Sequence, residues 1–356
     1  MPSQTPDERP EKRHDTLWFS DGNIVLSAVE SSTGDTIVFC IHKSSLARQS
    51  KVFESMFELP QGADTGDGVV EAYGGLNLPL VRVPDAAEDV EALLNALHDP
   101  LPLSQRSLLS DTPLRLRKAL HMASKYLMDD LRAKLIRILE QEWPPNLNDL
   151  NQKDRILDDM VKSLNGGVFL VTEWPLHLTP EPAAAIALAE DYDIPSILPA
   201  AYYDLLRCAP GVDWDLKFAE EPPGGPTGFR FCVSHVGGKP ARWESLSRDS
   251  LLKLLRLQGY VERHYHFEFK KTLLEDNPEC NNTSCRKTWV DLVNTLGTVP
   301  THVCGRDIYR VYRALVSELQ DANSQICLDC LSAYAPKITK GRNAVWSKLE
   351  EICLAK

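Results

Sequence analysis

DGNIVLSAVESSTGDTIVFCIHKSSLARQSKVFESMFE, residues 21–58, is the stretch on which the fold class turns. Ile24, Leu26 and Ala28 alternate with Val25, Ser27 and Val29, a period of two that a strand imposes because successive side chains point to opposite faces. Ser31-Ser32-Thr33-Gly34-Asp35 supplies turn chemistry, and Thr36 to Ile41 is a second β-rich run, so the two read as a hairpin. After His42 the period changes, with Leu46, Phe53, Met56 and Phe57 at helical spacings. A hairpin that runs straight into helices predicts a mixed α+β domain.

Working outward, residues 60–78 are rich in Gly and Asp and lack periodicity, which predicts a surface insertion. Pro79 to Val83 reads as a short strand. Asp85 followed by Glu88 resembles a capping box that opens a helix with Val90, Leu93, Leu94 and Leu97 on one face. One long helix is expected over 112–142, where Leu116, Leu120, Ala123, Leu127, Leu131, Leu135 and Ile138 step by threes and fours until Trp143-Pro144-Pro145 ends it. Residues 1–14 are polar and Pro-interrupted and read as a disordered arm. The domain organisation expected is therefore the arm at 1–14, an α+β domain at 15–142, a helical region at 143–270 and a cysteine-containing helical region at 271–356. Within the helical part, helices are expected at 182–192, 195–207, 306–322, 325–335 and 342–354. Another covers Ser247 to Leu257, capped by Ser247 and closed by Gly259. Glu220 to Pro226 marks a loop, and Gly228–Ser234 reads as a strand.

Composition removes several classes of function. The 356 residues carry 39 Lys and Arg against 50 Asp and Glu, a net charge of −11. That charge argues against a broad footprint for nucleic acid or an anionic membrane. No apolar run of about 18 residues is present, so no membrane partner is expected. The first residues hold no apolar signal core, and nine cysteines without one point to a reducing compartment, cytoplasmic and/or nuclear. Seven bases over 112–142, from Arg115 to Arg137, read as a solvated helix face diluted by Asp129, Asp130, Glu140 and Glu142. The chain has no G-x-S-x-G elbow, no H-E-x-x-H and no Rossmann glycine fingerprint, so no enzyme is expected.

Several segments resemble a BTB/POZ domain, in the variant common among fungal proteins, over roughly residues 15–142. They are Asp21 to Leu26, Phe39 to Arg48, Ser50 to Phe53, Met56-Phe57, Val81 to Pro84, the Asp89–Leu97 helix with His98-Asp99-Pro100, and Ala119 to Leu131. Ala183 to Leu206 and Gly341 to Leu349 are similar to the helical C-terminal half of mushroom-type BTB proteins. The resemblance implies a small sheet flanked by helices, followed by a mainly α-helical region. It also implies a protein–protein interaction role, as a homodimer or as a substrate adaptor docked on a cullin-type ubiquitin-ligase scaffold. The family's scaffold-contacting motif has its counterpart in Met56-Phe57-Glu58. The alternative for these three is that Met56 and Phe57 pack the core while Glu58 faces water. Residues 1–14 hold no apolar face to match the family's dimer-forming first helix. The rival expectations are a self-associating or transcription-related scaffold without a ligase role, and a zinc-stabilised C-terminal binding module.

His42, between a buried strand and a helix, reads as a structural group bonding nearby backbone. Cys280-x4-Cys285 and Cys327-x2-Cys330 could together supply the four soft ligands of a structural zinc, since paired cysteines let short segments offer two ligands each. About 40 residues separate the pairs. Two other readings stand beside zinc: small buried thiols between helices, and a redox pair. His302-x-Cys304 lies between the pairs. Cys40, Cys208, Cys232 and Cys353 read as packing residues, and His264 and His266 as a half-solvated pair on a strand or turn. His235 to Lys239 lacks the spacing of a phosphate loop.

Overall fold

The computed structural model describes residues 11–58, 71–73, 78–98, 111–164, 181–215, 239–274, 280, 283–297, 307–320 and 326–355. The chain divides into two compact units, with the break in sequence between Gln141 and Glu142.

The first unit is built on a five-stranded sheet in the order β1-β3-β2-β5-β4, formed by β1 (Lys12–Trp18), β2 (Ile24–Val29), β3 (Thr36–Ile41), β4 (Glu71–Tyr73) and β5 (Leu78–Ala86). β2 and β3 form the expected hairpin, in register from Ile24↔Ile41 to Val29↔Thr36. Its turn closes with the Glu30 N–H on the Asp35 carbonyl and the Gly34 N–H on the Glu30 carbonyl. Gly34 sits at φ 74°, a conformation that costs a residue with a Cβ. β5 runs parallel to β2, which makes β2 a central strand, and five of its six residues are buried. One sheet face gathers Val25, Val38, Cys40 and Leu80 against Trp18, Tyr73 and Leu78. α3 (Ala87–His98) packs on β2 and β5, and α4 (Thr112–Lys125) packs on α3.

Four expectations for this unit need correction. The disordered arm at 1–14 gives way to strand from Lys12, because β1 pairs its backbone in parallel with β3 and His14 stacks on Phe39 at 5.1 Å. An exposed edge strand needs only one buried side chain, here Leu17, so it leaves no hydrophobic periodicity to read. The capping box is not made. β5 continues to Ala86, the Asp85 carboxylate takes Lys125 and the Tyr126 hydroxyl (2.5 Å), and Glu88 accepts the Ser31 N–H at 3.1 Å. Tyr126 is pushed above the ordinary tyrosine value by burial and by this carboxylate. His42 bonds the Asp21 carboxylate at 3.2 Å rather than backbone, and Phe19 stacks on it. Finally, the long helix is two, α4 and α5 (Asp129–Glu142). Leu127 takes φ 50° while the Met128 N–H reaches the Ala123 carbonyl at 2.8 Å and the Leu127 N–H reaches that of Ser124 at 3.4 Å, a Schellman closure. Leu127 is correspondingly exposed. The bases thus fall on two helices, and Arg115 and Lys125 pair with Asp111 and Asp85.

α1 (Lys43–Gln49) and α2 (Lys51–Glu58) break at Ser50, whose buried hydroxyl donates to the Tyr126 carbonyl at 2.5 Å and accepts the Phe53 N–H at 3.2 Å. Phe53, fully buried, stacks on Tyr126 at 4.6 Å and anchors α2.

Among the described residues, the second unit is helical except for a two-stranded ribbon of β6 (Cys208–Asp213) and β7 (Lys239–Ala241). Its helices are α6 (Leu147–Leu164), α7 (Pro182–Asp191), α8 (Leu198–Leu206), α9 (Arg248–Arg263), α10 (Phe269–Leu274), α11 (Thr283–Leu296), α12 (Ile308–Gln320) and α13 (Leu328–Cys353). Every residue of α8 is buried, so it carries no polar stripe. Glu181 caps α7 by accepting the Ala183 and Ala184 N–H groups at 2.9 and 2.8 Å. Ser247 caps α9 as expected, accepting the Ser250 N–H at 3.0 Å, but the helix runs past Gly259 to Arg263. His264–Glu268 then widens into a π-turn, so the strand reading of His264 and His266 fails. His264 is buried with Nε2 2.9 Å from the Tyr312 hydroxyl, and His266 is exposed. The two helices expected at 325–335 and 342–354 are one, α13, which passes through Pro336. The expected strand at 228–234 and the loop at 220–226 lie outside the described residues.

Two helical glycines make opposite predictions. A Cβ at Gly341 would lie 2.3 Å from the Tyr312 hydroxyl oxygen, whereas one at Gly259 would meet nothing within 4 Å. Gly341→Ala is therefore expected to cost about 1–3 kcal/mol by overpacking. Gly259→Ala should gain roughly 0.5–1 kcal/mol from reduced chain entropy. Urea midpoints of the two variants check both signs.

Candidate metal centre and docking face

The two cysteine pairs, distant in sequence, converge in the second unit. The Sγ atoms of Cys280, Cys285, Cys327 and Cys330 all lie within 4.8 Å of one another, and those of Cys280 and Cys327 are 3.8 Å apart. Local structure places each pair at the start of a helix. Cys285 is the third residue of α11, with Cys280 just before it. Cys327 is the N-cap of α13, and Cys330 stands in its first turn. The first amide N–H groups of a helix have no intrahelical partner and carry the positive end of its dipole, so both positions favour a thiolate. One such bond is formed between the segments, from the Cys327 N–H to Cys285 Sγ at 3.2 Å.

Electrostatics divide the four thiols. Cys327 is drawn down to about 7, first by the Cys330 backbone N–H and then by the Cys330 thiol. Cys285 accepts the Cys327 N–H, which favours its thiolate, yet burial and the neighbouring thiols carry it upward. Burial pushes Cys330 well above the ordinary range. Cys285 and Cys330 are buried, and Cys280 and Cys327 are half-buried.

Beneath the sulfurs lies a feature the sequence reading passed over. Trp289 stands four residues after Cys285 and Tyr334 four after Cys330, so each aromatic shares its cysteine's helix face. The two rings stack at 4.0 Å with an interplanar angle of 5°, both buried, and Trp289 Nε1 donates to the Leu273 carbonyl at 3.0 Å. The repeated spacing, cysteine then aromatic at i+4 on each helix, was the available signal. His302, Cys304 and Cys232 lie outside the described residues.

Met56, Phe57 and Glu58 occupy the end of α2. Phe53 takes the core position, Met56 and Phe57 are half-buried, and Glu58 is exposed. Val52, 38% exposed, adds apolar surface to the same helix, and Lys43 Nζ sits 5.9 Å from the Phe57 ring centre. Met56 and Phe57 are thus partly packed, and Glu58 faces water.

Among the described residues, no helix is long and apolar enough to cross a membrane. No family model, no curated protein and no solved structure matches the chain.

Proposed function

We propose that this chain is a protein–protein interaction module whose first unit is a BTB/POZ-type platform and whose α2 face docks on a cullin-type ubiquitin-ligase scaffold, leaving the second unit to hold cargo. Support for the platform comes from the segments that carry the resemblance. They fold into one unit in the order hairpin, two helices, strand and three helices. The observation that carries the docking reading is the exposure along α2. Phe53 is the fully buried anchor of the helix, and Val52, Met56, Phe57 and Glu58 keep part of their surface available to a partner. Half-buried apolar side chains beside an exposed acid are the make-up of an interface hot spot with a polar rim.

The test is a pull-down with the purified scaffold. Wild-type chain should be retained, and the Met56→Ala, Glu58→Arg double variant should lose about 2 kcal/mol or more of binding, roughly thirty-fold in Kd. Both positions face water in part, so the variant keeps its core. Equal retention of wild type and variant would show that α2 is not the contact, and absence of wild-type retention would remove the ligase role and leave a self-associating scaffold.

A further inference from the structure

We propose that Cys280, Cys285, Cys327 and Cys330 bind a single zinc ion as a closed, structural tetrathiolate site in the second unit. The inference stands apart from the docking reading, because no residue of α2 takes part in it.

The argument begins with size. A zinc ion bonds thiolate sulfur at about 2.3 Å, so a tetrahedral set holds its sulfurs about 3.8 Å apart along each edge. The Cys280–Cys327 separation is 3.8 Å, and the farthest pair is within 4.8 Å, a gap that small side-chain rotations close. Two disulfides would instead pair the sulfurs two by two at about 2.05 Å. Thiols that merely fill space have no reason to converge from two distant chain segments on one point. An iron–sulfur cluster spreads its cysteines over separate iron atoms and needs a wider cage.

The surroundings fit a zinc thiolate site as well. Four thiolates around a doubly charged cation leave a net charge of −2, and two helix N-termini point their positive ends at it. The Cys327 N–H on Cys285 Sγ is the kind of outer hydrogen bond that orients a metal-bound sulfur. With four protein ligands the tetrahedron is complete, and the buried Trp289–Tyr334 stack lies one helical turn beyond Cys285 and Cys330. No coordination position is left for water or substrate, which makes the site structural rather than catalytic. Its job would be to tie Cys280 and the start of α11 to the start of α13, the helix that packs on α8, α9, α10 and α12.

The full-length protein, purified under reducing conditions from zinc-supplemented cells, should carry one zinc per chain by elemental mass spectrometry, and Cys327→Ser, Cys330→Ser should carry close to none. Should that variant fail to fold, the wild type decides: removal of the metal with a chelator followed by cobalt(II) should give the intense visible bands of tetrahedral thiolate coordination, and added zinc should bleach them. Chelation should also lower the thermal midpoint of the wild type and leave that of the serine variant unmoved. Folded protein with no zinc and no cobalt bands would overturn the assignment. So would zinc content unchanged in the serine variant, iron in place of zinc, or two disulfides in the peptide map.

Discussion

Asp154→Ala is expected to destabilise the second unit by about 3–5 kcal/mol, the cost of removing one member of a buried ion cluster. Asp154 is 1% exposed and is shared by two guanidinium groups, with Arg207 Nη1 at 3.3 Å and Arg313 Nη1 at 2.5 Å. Arg207 also reaches Asp204 at 2.8 Å and Asp307 at 3.7 Å, and Asp307 in turn takes the Tyr203 hydroxyl and the Arg310 N–H. The charges come from α6, α8 and the residue following it, and α12 and the residue preceding it, so the cluster joins three helices that lie far apart in sequence. Removing the carboxylate leaves two cations facing a site that water reaches poorly. Asp154→Asn keeps one acceptor and should cost less than alanine. Adding Arg313→Ala to Asp154→Ala should cost less than the sum of the two single changes, because both changes remove the same 2.5 Å ion pair. Urea unfolding of the wild type and the four variants measures all of this. A loss below about 1 kcal/mol for Asp154→Ala would mean the cluster behaves as a solvated surface network.

Lowering the pH from 6.5 to 4 is expected to remove up to about 3 kcal/mol of stability through His264 alone. Burial holds the folded imidazole down to about 4, against a weaker opposing pull from Glu268. An unfolded chain takes up that proton near pH 6.5. Between these values the unfolded state binds more protons, so stability rises with pH through the window, is complete above it and is lost as pH falls toward 4. Below the window a second group contributes. Burial alone would raise the Asp307 carboxyl, but Arg207 and then Arg313 outweigh it and hold it below its ordinary value. Its share of stability is present above the unfolded carboxyl range and is lost as pH falls through the folded value. His264→Gln keeps a polar partner for the Tyr312 hydroxyl and should flatten the upper part of the acid limb while sparing the lower part. Unfolding free energies at half-unit pH steps, wild type against variant, test this. Parallel curves between pH 4 and 6.5 would show that His264 accepts its proton in the folded chain as easily as in water.

Local signals were legible wherever a residue's neighbours in sequence are also its neighbours in space. The β2–β3 hairpin was readable because a two-residue period and a Gly34 turn are properties of adjacent residues, and the Ser247 cap because a hydroxyl bonds an amide three positions on. The same locality caused the errors. Leu127 fits the helical stripe by spacing, yet α4 ends there, because a left-handed residue lets the Met128 N–H close it on the Ala123 carbonyl before α5 begins. Asp85 had the right offset from Glu88 for a capping box, but Lys125 and Tyr126, about 40 positions away, bind its carboxylate instead.

The amino-acid order by itself determined the α+β start, the helical remainder, and the presence of two short-spaced cysteine pairs, each able to offer half a coordination shell. Only the tertiary structure decided that the halves meet, that Trp289 and Tyr334 stack beneath them, and that Asp154 is buried between two arginines. The reason is physical. Turn chemistry, caps and periodicity are set over a few residues, whereas a four-sulfur cage or a buried ion cluster exists only after helices separated by tens of residues have packed and excluded water between them.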